Sequence, residues 1–143
     1  MSYKQLYAGF NGPQNPDSFA FASANMANSS WLKSAMGDHL EQVLSQVDFD
    51  HQVLVVAAVG ERPTATGKLE IRKIDEHDSI FDPYVLIGVN DNECAMPGGR
   101  SFPFVIAVVE RPKLPPRAHG GFDYQNFPDG CKPILSGDAH NTN

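Results

Sequence analysis

Several features that would identify a functional class are scarce in this sequence. No uninterrupted apolar run approaches the length of about 18 residues that a transmembrane helix needs, so we expect no membrane insertion. The chain has 11 Lys and Arg against 17 Asp and Glu, which gives a net charge of −6. Nucleic acids and anionic membranes both favour clustered positive charge. We therefore expect neither of them as a partner.

Cysteine is also scarce, and the two cysteines, Cys94 and Cys131, are too few for a disulfide scaffold. Their spacing matches no compact zinc motif. Free thiols and a bridge between Cys94 and Cys131 remain alternatives. The first five residues lack the apolar run of a secretory signal, which favours a cytoplasmic location. Export after removal of a leader is the alternative.

Motifs of common catalytic sites are missing as well. The sequence contains no Gly-x-Ser-x-Gly elbow and no glycine-rich phosphate loop. None of its five histidines lies four residues from another, which is a common helical zinc spacing, so each is expected at the surface. Only His119, Cys131 and His140 are considered as a metal-binding set, and their irregular spacing argues against it. We expect no catalytic residue, metal ligand or cofactor, and hence no enzyme.

The composition favours one β-rich domain followed by an irregular segment. Hydrophobic residues make up 41% of the 143 residues and charged residues 20%, a balance typical of a globular protein. Residues 1–112 carry the periodic patterns of strands and one helical stretch. Residues 113–143 are rich in proline and glycine, which disfavour regular structure. We therefore predict a domain over 1–112 and an irregular tail over 113–143.

Hydrophobic periodicity predicts the order of elements. Residues 52–59 form a continuous apolar run, typical of a central strand that is buried on both faces. Apolar residues recur every three or four positions over 31–47, which predicts a helix, or two short helices separated at Gly37. Asp38 is a candidate for a capping box. Other strands are predicted over 4–10, 18–24, 68–74, 84–89 and 102–110, with loops over 75–83 and 90–100.

This order lacks alternating strand–helix units, so a parallel doubly wound sheet is not expected. It predicts an α+β, β-rich fold, with a mainly antiparallel sheet or open barrel packed by one helical segment. The most distinctive connection is Gly60-Glu61-Arg62-Pro63-Thr64-Ala65-Thr66-Gly67, in which glycine permits positive φ and proline fixes its own φ. It has two interpretations, a structural turn or a binding loop held by a rigid scaffold.

Four segments of the chain carry a resemblance to a known family. They are Val47-Asp48-Phe49-Asp50 before the buried strand, Gly60-Glu61-Arg62-Pro63-Thr64 at its end, Trp31 on the upstream helical stretch, and Phe102-Pro103-Phe104 at the closing strand. Together they resemble the C-terminal domain of PrcB-type protease-complex subunits, over roughly residues 5–112. The family's Gly-Gly-Tyr is replaced here by Ala65-Thr66-Gly67-Lys68.

The resemblance implies a non-catalytic accessory module that stabilises or associates with a protease. The partner-binding residues expected for this role are Glu61, Arg62, Pro63, Thr64 and Gly67. Two alternatives remain. The first is a small-molecule-binding β domain or unrecognised enzyme with a pocket lined by aromatic residues, namely Phe19, Phe21, Tyr84, Phe102 and Phe104. The second is self-association through an exposed sheet edge.

Overall fold

A computed structural model describes residues 1–63, 66–89 and 100–119 of the chain. Within these ranges the strands form a four-stranded sheet, a three-stranded sheet and a two-stranded ribbon, accompanied by three short helices. In chain order the elements are β1 (Tyr3–Gly9), β2 (Asp17–Phe21), α1 (Ala24–Asn28), α2 (Trp31–Met36), α3 (His39–Leu44), β3 (Gln52–Ala58), β4 (Arg62–Pro63), β5 (Thr66–His77), β6 (Ile80–Val89), β7 (Arg100–Ser101), β8 (Phe104–Glu110) and β9 (Arg117–Ala118). The prediction of an α+β, β-rich fold is confirmed.

The first sheet has the strand order β1-β8-β3-β2, with every neighbouring pair antiparallel. Its central strands alternate between two hydrophobic cores because successive side chains point to opposite faces. Leu54, Val56 and Ile106 belong to the core beneath the helices, whereas Val55 and Val105 belong to the core beneath the second sheet. All five are fully buried. The predicted central strand is therefore confirmed as buried on both faces.

The second sheet has the order β5-β6-β9, and its first two strands form a long hairpin. Asp78 and Ser79 have φ of 52° and 66°, and positive φ at both central residues is what a type I′ hairpin turn requires. The predicted loop over 75–83 is therefore wrong, because these residues form the tip of this hairpin. Their polarity has another cause: Phe81 faces the core, whereas residues 75–78 are exposed to solvent.

The segment after β8 was predicted to be irregular, but part of it joins the second sheet. β9 runs parallel to β6, with Arg117 beside Ile80 and Ala118 beside Phe81. Backbone hydrogen bonds from Arg117 N to Ser79 O (3.0 Å) and from His119 N to Phe81 O (3.2 Å) hold it there. Residues 120–143 lie outside the described part of the chain. So do Cys94 and Cys131 with their proposed bridge, and residues 90–99 of the predicted loop over 90–100, whose last residue, Arg100, begins β7.

The helical region contains more breaks than the sequence pattern predicted. The strand predicted over 18–24 ends at Phe21, and α1 begins at Ala24. The helical stretch divides at Gly37, as one of the two predicted versions had it. Ser30 Oγ accepts a hydrogen bond from Leu32 N at 3.2 Å and caps the start of α2. Asp38 precedes α3 without a side-chain capping hydrogen bond, and the capping-box prediction is wrong.

The three layers are therefore the helices, the first sheet and the second sheet. The first sheet lies in the middle because it contributes to both cores. The edge strand β1 also reaches the second sheet. Gln5 Oε1 accepts from Ile71 N at 2.8 Å, and Gln5 Nε2 donates to Leu69 O at 3.4 Å. The helices described here have at most six residues, too few to cross a membrane.

Candidate functional site

Three connections meet at one end of the first sheet: residues 10–16, 60–63 and 100–103. We call this region the loop end. Gly12 N donates to Phe102 O at 2.7 Å, and Phe102 N donates to Phe10 O at 2.8 Å. Val59 N donates to Pro103 O at 3.0 Å. These backbone bonds fix residues 10–12 to Phe102, and Pro103 to Val59, which directly precedes the second connection.

The turn that leaves β3 depends on a glycine. Gly60 has φ of 78°, a conformation that residues with a Cβ rarely adopt. A Cβ built at Gly60 would lie 2.9 Å from Pro16 Cδ and 3.2 Å from Gln14 O. The positive φ and the close approach of the neighbouring connection therefore both require glycine. After this turn β4 pairs antiparallel with β7, which joins the second and third connections.

The predicted partner-binding residues are divided between two elements. Glu61 is half-buried and precedes β4, and Arg62 and Pro63 form β4 itself, so these three belong to the loop end. Gly67 lies in β5, at the start of the second sheet. Thr64 lies outside the described residues. The single loop predicted over 60–67 is thus partly a ribbon and partly a strand.

The loop end also carries an exposed aromatic side chain. Phe10 is 48% exposed although it directly follows β1. The neighbouring residue Asn11 donates from Nδ2 to Ala35 O at 2.7 Å, which ties this connection to helix α2. The loop end is therefore supported from the helical layer as well as from the sheet.

The aromatic residues predicted to line a pocket lie in three different places. Phe19, Phe21 and Phe104 pack together with Trp31 beneath the helices. The ring centroids of Phe19 and Trp31 are 5.5 Å apart and those of Trp31 and Phe104 5.1 Å apart. Tyr84 lies on the second sheet under Lys73 Nζ, 4.7 Å from the ring centroid. Phe102 belongs to the loop end. These rings thus do not surround one common cavity.

A second group of candidate side chains lies on the second sheet, away from the predicted loop. His77, Asp82 and His119 each place one potential ligand atom within 4.8 Å of the others. We call them the histidine group. His77 Nδ1 is 3.7 Å from Asp82 Oδ2, and His119 Nδ1 forms an ion pair with Asp82 Oδ1. Both imidazoles are more than half exposed, whereas the Asp82 side chain is 15% exposed.

Sequence reasoning missed this group for two physical reasons. Its residues come from the hairpin tip that was predicted as a loop and from the segment that was predicted as a tail. His119 was considered only with Cys131 and His140, which lie outside the described residues. The useful signal would have been the hairpin, because its register makes His77 and Asp82 diagonal neighbours. The predicted surface positions of His39, His51, His77 and His119 are confirmed.

A third feature is the turn before β3, where His51 Nδ1 lies 2.8 Å from Asp48 Oδ2. The hydrogen bond to Asp48, and then its negative charge, raise the pKa of His51. The hydrogen bond from His51, and then that from the Asp50 backbone N–H, lower the pKa of Asp48. Both groups are fully exposed, so water and salt screen the pair. The two side chains of this turn form a local pair. In the described part of the chain, they belong to no group with a second histidine.

Comparison with known proteins adds no relative to this picture. No family model matches the chain, and neither the curated proteins nor the solved structures contain a match. The resemblance to PrcB-type subunits therefore stays a prediction that rests on the residues quoted above.

Proposed function

We propose that this protein is a non-catalytic protein-binding module that contacts its partner through the loop end. The observation that supports this most is the meeting of three connections at one end of a sheet whose central strands are fully buried. Loops held by a rigid scaffold are the usual location of binding residues.

The loop end is also preorganised. Backbone hydrogen bonds of 2.7–3.0 Å join its connections, and Gly60 fixes the turn that leaves β3. Ordering flexible loops on binding costs free energy, so a surface that is ordered beforehand binds more tightly for the same contacts. This argument concerns residues 10–16, 60–63 and 100–103.

The residue types of the loop end suit a protein partner. Phe10 offers an exposed aromatic side chain, and Glu61 and Arg62 add charges of both signs. Aromatic residues and arginine are enriched at protein interfaces and dominate their binding energy. The resemblance to protease-complex subunits makes a protease the first partner to test.

The proposal is tested by affinity capture of partners with three forms of the full chain. The test variant combines Glu61→Ala, Arg62→Ala and Thr64→Ala. The control combines Lys33→Ala, Ser34→Ala and Glu41→Ala, which removes one base, one hydroxyl and one acid from exposed helical positions.

We expect the native chain and the helical control to retain a common partner that the loop variant loses, at an unchanged melting temperature. Equal capture by all three forms would reject the loop end as the binding site. Absence of any captured protein would reject the protein-binding function.

A further inference from the structure

The backbone register of the second sheet brings the histidine group to one face. His77 on β5 pairs with Ile80 on β6, and Asp82 follows two residues later on the same side of the strand. The parallel pairing of Ile80 with Arg117 and of Phe81 with Ala118 ends one residue before Asp82 and His119. Because side chains alternate along a strand, Phe81 and Ala118 face the core while the histidine group faces outward.

The separations within the group are close to those of a metal site. Zinc binds histidine nitrogen and carboxylate oxygen at about 2.0–2.2 Å, which places neighbouring ligand atoms roughly 3.3 Å apart in a tetrahedral site. All three candidate ligand atoms already lie within 4.8 Å of one another. The imidazoles of His77 and His119 are 59% and 58% exposed, so they have room to turn. The required movement is a side-chain rotation and leaves the sheet in place.

The central carboxylate provides a second observation. Asp82 Oδ1 is buried and makes no well-oriented hydrogen bond, although it lies against His119 Nδ1. A buried carboxylate oxygen is costly unless a hydrogen bond, an opposite charge or a metal compensates it. Asp75 pairs with Asp82 across the strands and adds negative charge, while Lys73 Nζ lies 3.5 Å from Asp75 Oδ2. Arg117, which pairs with Ile80, adds a positive charge to this region of the sheet.

We propose that His77, Asp82 and His119 bind a divalent transition-metal ion, with Zn²⁺ as the first ion to test. Two imidazoles and one carboxylate are ligands that suit zinc and its neighbours in the first transition row. Calcium and magnesium prefer all-oxygen sites and fit this set poorly. The group lies on a solvent-facing surface, so the fourth coordination position is open to water or to a donor from another molecule.

Metal binding at this position would stabilise the packing of residues 113–119, which follow β8, against the β5–β6 hairpin. His77 and Asp82 belong to the hairpin, whereas His119 ends the described part of that segment. β9 itself has only two residues, Arg117 and Ala118. A ligand that binds only the folded arrangement stabilises it by mass action. The ion would therefore hold residues 113–119 in their position on the second sheet.

The experiment is calorimetric titration of the full chain with Zn²⁺, supported by the visible absorption spectrum with Co²⁺. The variants are His77→Ala, His119→Ala and Asp82→Asn. The matched control is His51→Ala, since His51 is also an exposed histidine paired with an aspartate but belongs to no group with a second histidine in the described part of the chain. Circular dichroism checks that each variant retains the fold.

We expect one equivalent of Zn²⁺ to bind the native chain and the His51→Ala control with the same affinity. Each of the three ligand variants should weaken binding by at least about tenfold, because even residues that only orient a ligand contribute this much. Zn²⁺ should raise the melting temperature of the native chain and not that of His119→Ala.

Two results would overturn the proposal. The first is no binding of Zn²⁺ or Co²⁺ to the native chain, which would leave the group as an ion pair. The second is native affinity in both His77→Ala and His119→Ala, which would place the ion elsewhere in the chain.

Discussion

The two sheets use their faces differently. The first sheet is covered on both sides, by the helices on one and by the second sheet on the other, and its central strands are apolar from Val53 to Ala58 and from Phe104 to Val109. Among the described residues, the second sheet packs against the first through one side, and its other side carries ionisable residues such as His77, Asp82 and Lys73. The first sheet therefore supports the fold and the loop end, whereas the second sheet is where metal chemistry is possible.

The largest expected difference between the sheets is in packing energy. Ile106 is fully buried in the first sheet, whereas Ile80 is half-buried beside the outward-facing histidine group. Ile106→Ala should destabilise the fold by about 2–5 kcal/mol through lost burial and a residual cavity. Ile80→Ala should cost about 1 kcal/mol or less, as is usual for a partly exposed site. Urea denaturation measures both, and equal losses would contradict the assigned layers.

A polar anchor of the first sheet gives the next largest effect. The Arg111 guanidinium donates to Phe49 O at 2.6 and 2.9 Å and to Ala22 O at 2.5 Å. Arg111→Ala should cost about 2–3 kcal/mol, because hydrogen bonds from charged groups are among the stronger ones. Lys113→Ala, two residues on and exposed, should change stability by about 0.5 kcal/mol or less. Denaturation midpoints of the two variants provide the comparison, and a similar loss in both would argue against the anchor.

Alanine substitutions at two glycines of positive φ compare the stability of the loop end with that of the helical layer. Gly60 and Gly37 have φ of 78° and 55°, and alanine is strained at both, by about 1–3 kcal/mol. Only at Gly60 would the added Cβ also meet neighbouring atoms, those of Pro16 and Gln14. Gly60→Ala should therefore be the more destabilising of the two in thermal or chemical unfolding. An equal or smaller loss of stability in Gly60→Ala would show that the loop end adjusts to the added Cβ.

The smallest effect concerns the turn before β3. The hydrogen bond between His51 and Asp48 raises the pKa of His51. NMR titration should therefore give His51 a pKa above its ordinary value of 6.5. Asp48→Asn should lower that value towards the ordinary one. The His51 contribution to stability is present at low pH and lost as pH rises through its folded pKa. The Asp48 contribution is lost as pH falls through its lowered folded pKa, so the pair acts between these two values. An unchanged His51 pKa in Asp48→Asn would refute the assignment.

The sequence predicts the first sheet far better than the second. Residues 52–59 read as a buried strand because both of their faces are apolar. In contrast, the hairpin tip is a continuous polar run from Asp75 to Ser79, and its turn is Asp78-Ser79 rather than the usual pairs with glycine. The histidine group was not predicted from the sequence for the same reason. It depends on a diagonal pairing within the hairpin and on a parallel strand from residues 117–118, neither of which leaves a contiguous motif.

At the loop end the prediction is divided in a similar way. Gly60 and Pro63 indicated a shaped connection, and the positive φ of Gly60 agrees with it. The pairing of residues 62–63 with residues 100–101 was not predictable, because it joins segments far apart in the chain. Long-range pairing of this kind depends on the packing of the whole domain rather than on local propensity.

The division of roles between the sheets is tested most directly by hydrogen exchange measured by mass spectrometry, with and without Zn²⁺. We predict that Zn²⁺ slows exchange of the Arg117 and His119 amides, which donate to Ser79 O and Phe81 O. Exchange at residues 60–63 of the loop end should be the same with and without Zn²⁺. Identical exchange in both conditions, or protection confined to the loop end, would contradict the account.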